Sequence, residues 1–108
     1  DRATGTRTFQ HKLSGQAGAY QNSTWAVAVA KAGVEDGFPL FGCSLIVDPD
    51  GRIVAESRTE GDELVLHDCD LDRTRFGKET IFDFARHRRP EHYGRITAQT
   101  GAEPPPEE

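Results

Sequence analysis

The stretch ARHRRPEHYGR, residues 85–95, is the part of the chain whose side chains could do chemistry. It holds four of the ten arginines and two of the four histidines of a protein with a formal net charge of -5. Arginine forks bind phosphates and carboxylates, and His87 and His92, five residues apart, could ligate a metal. Tyr93 could pack against an apolar surface. The stretch is therefore a binding site for phosphate or metal, or a packing device.

Composition favours the packing device. A net charge of -5 opposes nonspecific nucleic-acid binding, which needs a surplus of cations over a whole face, and Glu91 interrupts the arginines. The sequence has no CxxC motif and no set of cysteines and histidines with zinc spacing. We therefore expect no nucleic-acid partner, no metal and no cofactor.

The length of 108 residues suits one modest domain and is too short for two. The chain starts with Asp1 and contains no methionine, so we interpret it as a fragment or a cleaved product. It has no apolar run of membrane-spanning length and no signal peptide, which predicts a soluble cytoplasmic protein. Cys43 and Cys69 are then expected to stay reduced.

The elements that must position the basic stretch begin with a helix over residues 9–22. Apolar side chains recur there at helical spacing, and the small residues of SGQAGA predict close packing against a neighbouring element. Residues 1–8 are expected to be flexible. The apolar stripe consists of Phe9, Leu13, Ala17 and Tyr20.

Alternating patterns predict about four strands. TWAVAVA, residues 24–30, has no polar side and predicts a strand buried on both faces. A loop containing Gly33 and Gly37 follows. Residues 42–57 predict a hairpin that turns at Pro49-Asp50-Gly51, and residues 62–71 predict a fourth strand.

Two short helices are expected after these strands. Asp70 or Asp72 is placed to cap the first, which Gly77 interrupts, and Thr80 with Asp83 resembles the start of the second. Pro90 then forces an extended or turn conformation. The tail over residues 97–108 has little to bury and is expected to be disordered.

The predicted helices are too few to cover both faces of the predicted strands. A strand buried on both faces needs a layer above and a layer below, while one long and two short helices must cover about four strands. We therefore expect a missing layer, supplied by a longer parent chain or by a partner subunit.

Four ordered blocks carry a resemblance to a known family. They are QAGAYQNSTW, FGCSLIVDPDGRIVA, DCDLDRTR and RHRRPEHYG, within residues 9–96. In their order and spacing, the sequence resembles the C-terminal part of nitrilase-superfamily (carbon-nitrogen hydrolase) enzymes, most closely the N-carbamoyl-D-amino-acid hydrolases. The ending FDFARHRRPEHYG points to that branch.

The resemblance implies an α/β (α+β) fold, the C-terminal part of an αββα sandwich, with residues 9–96 forming a partial carbon-nitrogen hydrolase domain. It implies catalysis by a cysteine nucleophile, a glutamate base and an oxyanion-stabilising lysine, acting on small N-carbamoyl amino acids. In the family these groups, and the arginines that bind the substrate carboxylate, lie upstream of the matching portion. We therefore assign no catalytic, substrate-binding or metal residue in this chain.

The remaining candidate side chains have structural interpretations. Cys43 lies just before a serine, where the family commonly has a histidine or another polar residue, and we interpret it, like Cys69, as a small packing residue of a strand. Lys31 should emerge into solvent. The residues left without a function are His11 and His67, and the residues expected to close the first helix are Gln21 and Asn22.

Two functions remain. In the first, the chain is the C-terminal portion of a carbamoylase-like amidohydrolase, inactive alone and part of a homo-oligomer; in the second, it is a non-catalytic assembly module that docks on a full-length partner. Under both, the basic stretch is a structural contact, here called the clasp, that pairs with carboxylates of the sandwich or of a neighbouring subunit. The clasp residues are Arg86, Arg88, Arg89, Pro90, His92 and Tyr93.

Overall fold

The computed structural model describes residues 2–103, with side chains described from residue 5 onward. The helices are α1 (Arg2–Gln21), α2 (Arg75–Glu79), α3 (Phe84–His87) and α4 (Gly94–Ala98), and 3-10 turns span Leu71–Thr74 and Pro90–His92. The strands are β1 (Ala26–Ala28), β2 (Ala32–Glu35), β3 (Phe38–Phe41), β4 (Leu45–Val47) and β5 (Ile53–Glu56). This mixture of helices and small sheets confirms the predicted fold class.

Helix α1 packs on the sheet through its small residues. Ala19 is fully buried, and a Cβ added at Gly15 would lie 3.5 Å from Leu45 Cδ1 and 3.9 Å from Val47 Cγ2. The small face therefore lets α1 approach β4 closely, as predicted. The helix begins at Arg2, although the apolar stripe begins at Phe9, because a helix once formed adds one hydrogen bond for each further residue.

The main sheet has the strand order β1-β4-β5, with both pairs antiparallel. The predicted hairpin is confirmed as β4 and β5, and its turn is closed by the hydrogen bond from Gly51 N to Asp48 O, 2.9 Å. Gly51 has a φ of +85°, a conformation that glycine adopts without steric cost. Residues 42–44, expected to open the hairpin, precede β4 as a loop.

A second hairpin replaces the predicted loop between residues 33 and 37. Strands β2 and β3 pair in register from Ala32 opposite Phe41 to Glu35 opposite Phe38. The turn residues Asp36 and Gly37 have φ values of +51° and +82°. Asp-Gly is a strong signal for this type of turn.

The predicted strand over residues 62–71 is wrong. The structure shows irregular backbone over residues 61–70, with Leu64 80% and Leu66 74% exposed. Alternation of apolar residues indicates a strand only when a neighbouring strand offers its backbone groups. The described sheet provides no such ladder to this segment.

Aspartates cap the 3-10 turn before α2 and the helix α3. Asp70 Oδ1 accepts a hydrogen bond from Asp72 N, 3.0 Å, at the start of the 3-10 turn that leads into α2. The helix continues through Gly77 to Glu79. Asp83 caps α3 by accepting from Arg86 N. Thr80 was the predicted start of this helix, but Thr80 Oγ1 instead donates to Phe76 O, 2.5 Å.

Pro90 lies at the first position of the second 3-10 turn, where its missing N–H costs nothing. The chain then forms the short helix α4, which includes the first residues of the predicted tail. Residues 104–108 of that tail, like Asp1, lie outside the described residues. The flexibility of residues 1–8, the disorder of the tail and the proposed domain limits stay predictions.

The hydrophobic core is small for the length of the chain. Its buried apolar residues within the described part are Ala19, Leu45, Ile46 and Val47. The radius of gyration is 19.0 Å, whereas a compact domain of this length has about 13 Å. The accessible surface of 8794 Å² also exceeds the roughly 5,900 Å² expected for a globular protein of this mass. Much apolar surface is therefore uncovered.

Candidate functional site

The face of the main sheet opposite α1 is open. Val27 pairs with Ile46, and Ile46 with Ala55, so these side chains share that face. Val27 is 65% and Val29 86% exposed. The prediction that TWAVAVA is buried on both faces is wrong for the described chain, because the segment with Glu63 and Val65 borders this face but leaves Val27 and Val29 exposed.

A shallow hollow of about 210 Å³ lies on this open face. Val27, Ile46 and Val65 line it, together with Glu63. Glu63 Oε1 accepts from Arg58 N at 2.7 Å, which closes the loop that follows β5. We call the surface formed by Val27, Val29, Ile46 and Val65 the open sheet face.

The apolar stripe of α1 forms a second uncovered surface. Phe9 is 63%, Leu13 52% and Tyr20 47% exposed. Tyr20 makes an edge-on ring contact with Phe82, at 5.1 Å between ring centres. The stripe therefore does not face the sheet, which receives the small-residue side of the helix instead.

The clasp residues form a local, self-contained turn on the surface. Tyr93 Oη accepts a hydrogen bond from Arg89 N at 2.9 Å, across the 3-10 turn that begins at Pro90. The guanidinium of Arg89 donates to the carbonyl oxygens of Arg86 and Arg88, at 3.1 and 2.9 Å. All six clasp residues are exposed.

The arginines of the clasp are uncompensated inside the described chain. The ion pairs found among the described side chains involve other residues. Pairing of the clasp arginines with carboxylates of a sandwich or of a second subunit stays a prediction.

A network of charges connects the main hairpin to the C-terminal segment. Asp48 is 2% exposed, and its Oδ1 accepts from the backbone N of Asp50 and of Arg52, both at 2.9 Å. Arg73 Nη2 lies 3.2 Å from Asp48 Oδ2 and 2.9 Å from Asp50 Oδ2. We call Arg73 with these two aspartates the Arg73 bridge.

Burial raises the pKa of Asp48, but hydrogen bonds outweigh it. They come from the Arg52 amide, the Arg73 guanidinium and the Asp50 amide, and they hold the pKa of Asp48 below its usual value. Hydrogen bonds to Asp48 and Asp50 raise the pKa of Arg73. Asp48 and Arg73 are therefore charged at neutral pH.

Contacts between Trp25, Ser23 and the C-terminal segment surround the bridge. The Arg73 guanidinium lies 5.3 Å from the Trp25 ring centre, and Trp25 Nε1 donates to Asp70 O at 2.9 Å. The buried Ser23 donates through Oγ to Thr74 O, also at 2.9 Å. The segment after residue 70 is thus held at the hairpin turn.

Cys43 and Cys69 are half-buried free thiols. Cys43 lies in the loop before β4, with a φ of +63°, and its carbonyl oxygen is 2.8 Å from Nε2 of His11. Cys69 Sγ contacts the carbonyl oxygen of His67 at 3.7 Å. Cys43 packs against the core as expected, and neither cysteine lies in a strand.

His67 and Lys31 also have structural environments. The His67 ring lies 5.5 Å from the Trp25 ring, centre to centre. Lys31 is solvent-exposed as predicted and pairs with Glu35 at 2.7 Å. Asn22 closes α1 by donating from Nδ2 to Gly18 O, 2.9 Å, and Gln21 forms the last residue of the helix.

Two further findings bear on function. Within the described residues, no group of three or more histidine, cysteine, aspartate or glutamate side chains is arranged to hold a metal ion. The same part of the chain has no helix with the length and apolar character needed to cross a bilayer.

Sequence reasoning missed the Arg73 bridge. Asp48 and Asp50 lie in the block FGCSLIVDPDGRIVA, and Arg73 lies in DCDLDRTR. The presence of both blocks in one chain was the available sequence signal. It did not reveal that the fold brings Arg73 into contact with Asp50 and Asp48, which lie 23 and 25 positions earlier in the chain.

Comparison with known proteins places this geometry in a family. The family model for carbon-nitrogen hydrolases matches residues 2–79. The crystal structure of carbon-nitrogen hydrolase from Helicobacter pylori G27 is similar to 92% of this chain, with a TM-score of 0.76 and 21% sequence identity. This likeness shows the fold, and the chain covers 36% of that protein. Since the family model spans more than half of its 108 residues, the chain belongs to the carbon-nitrogen hydrolase family.

Proposed function

We propose that the chain is the C-terminal portion of an amidohydrolase that converts N-carbamoyl-D-amino acids into D-amino acids. Family membership and the open sheet face support the proposal that this chain is part of a larger hydrolase. The finer substrate class depends on the resemblance of FDFARHRRPEHYG to the carbamoylase branch. That whole ending, residues 82–94, lies beyond the residues 2–79 that the family model matches.

The proposed reaction hydrolyses the carbamoyl group completely. A cysteine thiolate attacks the carbamoyl carbon, a glutamate transfers the protons, and a lysine stabilises the oxyanion. One molecule of N-carbamoyl amino acid and one of water give one amino acid, one carbon dioxide and one ammonia. We propose that these three residues come from outside this chain, which contributes sandwich and assembly surface and is inactive alone.

The test measures ammonia release by the protein expressed from the complete reading frame. N-carbamoyl-D-amino acids should be hydrolysed, and their L-enantiomers and simple aliphatic amides should be poor substrates. The 108-residue chain alone is the matched control and should release no ammonia. Hydrolysis of amides without activity on N-carbamoyl substrates would keep the family assignment and overturn the substrate class.

The open sheet face favours a second candidate, a non-catalytic assembly module. Val27 and Val29 present apolar surface that a full-length partner of the same fold could cover. Gel filtration of the chain, alone and mixed with that partner, tests this function. A stable monomer at all concentrations that never joins the partner would count against it.

Both candidates give the clasp a role in a cytoplasmic homo-oligomer. Deleting residues 85–96 from the complete protein should lower solubility or assembly and leave turnover per folded active site nearly unchanged. Light scattering together with active-site-normalised rates checks this prediction. A variant that stays assembled but loses its turnover rate would show that the clasp serves the chemistry instead.

A further inference from the structure

We propose that Arg73 is the positioning residue that docks the C-terminal segment, residues 71–103 with the clasp, onto the turn of the main hairpin. This role does not depend on the substrate or on the catalytic residues. It follows from where the two halves of the chain touch.

The contacts between the two halves are concentrated at one place. Residues 71–82 meet the earlier part of the chain at the hairpin turn and at the end of α1. The side-chain contacts described there are the Arg73 bridge, the Arg73 guanidinium over Trp25, the bond from Ser23 to Thr74 O and the rings of Tyr20 and Phe82. Beyond Phe82, the hydrogen bonds and ring contacts described for residues 83–103 stay within the segment.

Arg73 is suited to this task by its geometry. Its Nη2 nitrogen donates to two carboxylates of the hairpin turn, those of Asp48 and Asp50, and the guanidinium also lies over Trp25. The side chain of Asp48 is held in place, because its Oδ1 accepts hydrogen bonds from the backbone amides of Asp50 and Arg52. A planar guanidinium can stack on an aromatic ring while its N–H groups donate to carboxylates, which suits arginine to these three contacts better than lysine.

The surroundings of Arg73 leave little freedom for another arrangement. Gly77, four residues after Arg73 and in α2, lies directly on Ser23, since an added Cβ would be 2.7 Å from Ser23 Cβ. Ser23 itself is 3% exposed. The close approach of Gly77 to Ser23 therefore restricts how the C-terminal segment can lie against the first part of the chain. Arg73 supplies the charged contact that favours the observed arrangement.

Hydrogen exchange of the complete protein that carries these residues tests the proposal. In Arg73→Ala, amides of α2 and α3 should exchange about three- to tenfold faster, while those of β4 and β5 keep their rates. Arg75→Ala is the matched control, because Arg75 is an exposed arginine at the start of α2, two residues after Arg73, and forms no ion pair among the described side chains. Arg73→Lys should restore part of the protection.

Two results would overturn the proposal. Unchanged exchange in Arg73→Ala would show that the segment docks without the bridge. An equal increase over α2 and β4 would show that Arg73 stabilises the whole fold and does not position the segment. If Arg73→Ala does not fold, Asp50→Asn removes the exposed half of the bridge and should give the same local pattern at smaller amplitude; no local change would contradict the proposal.

Discussion

Residues 9–57 and residues 71–103 differ in how they use similar apolar side chains. The first region buries Leu45 and Val47 completely between α1 and the sheet. In the second, no residue of the helices or 3-10 turns is buried, and Phe76 is 73% exposed. One region has its own core and the other has a single attachment to it.

The difference shows that packing partners, and not composition, decide which region forms a hydrophobic core of its own. In residues 9–57, a helix and three strands cover one another, since strand pairing brings distant side chains onto one face. In residues 71–103, short helices follow one another without a sheet to cover. The second region is therefore expected to gain its stability from the Arg73 bridge and from surfaces outside this chain.

The largest expected effect is in the core of the first region. Leu45→Ala should lower the free energy of unfolding of the complete protein by about 2–5 kcal/mol, because it leaves a cavity under α1. Leu71→Ala, the same change at a residue 71% exposed, should cost less than about 0.5 kcal/mol. Urea denaturation measures both. Equal costs would break the comparison, since the second region would then have a core of its own.

A smaller loss is expected where the two regions touch. Gly77→Ala places a Cβ against the buried Ser23 and should cost about 1–3 kcal/mol through overpacking. Gly94→Ala is the control, because an added Cβ there meets no atom within 4 Å. Thermal unfolding of both variants checks the difference. A harmless Gly77→Ala would mean that the regions can separate freely.

The pH dependence of stability should report on Asp48. Its folded pKa lies below its usual value, so the unfolded chain takes up the proton first as the pH falls. The stabilisation by the Asp48 carboxylate is present above the unfolded pKa, near 3.9, and is lost as the pH falls through the folded pKa.

Asp48→Asn removes this titration. Its free energy of unfolding should fall less steeply in acid than that of the unchanged protein, and the two curves should differ most above about pH 5. Denaturation at a series of pH values measures the slope, with the exposed Asp62→Asn as control for the loss of one charge. Parallel curves for Asp48→Asn and the unchanged protein would contradict the role of this carboxylate.

The smallest effect, a gain, is expected on α1. An added Cβ at Gly18 meets no atom within 4 Å, so Gly18→Ala should stabilise the protein by about 0.5–1 kcal/mol through helix propensity. Gly51→Ala is the opposing control, because Gly51 has a φ of +85° and an added Cβ would lie 3.2 Å from Gln16 O. A destabilising Gly18→Ala would indicate that this side of the helix is covered in the complete protein.

Local patterns were predictable where a short stretch holds the whole signal. The turn at Gly51, the small-residue face of α1 and the start of a helix at Asp70 depend on neighbours in sequence. The second hairpin was missed although Asp36-Gly37 signals it, because the glycines were interpreted as a loop. The strand over residues 62–71 was predicted wrongly because its pattern cannot show whether a partner strand is present.

The sequence by itself determined the family, through the order of its blocks, and the local elements, through periodicity and turn residues. Only the tertiary structure decided that Arg73 meets Asp48 and Asp50, and that α1 turns its small face to the sheet and its apolar stripe outward. It also decided that the sheet stays open at Val27. These features depend on contacts between residues far apart in the chain, and a pattern of neighbouring residues does not encode such distances.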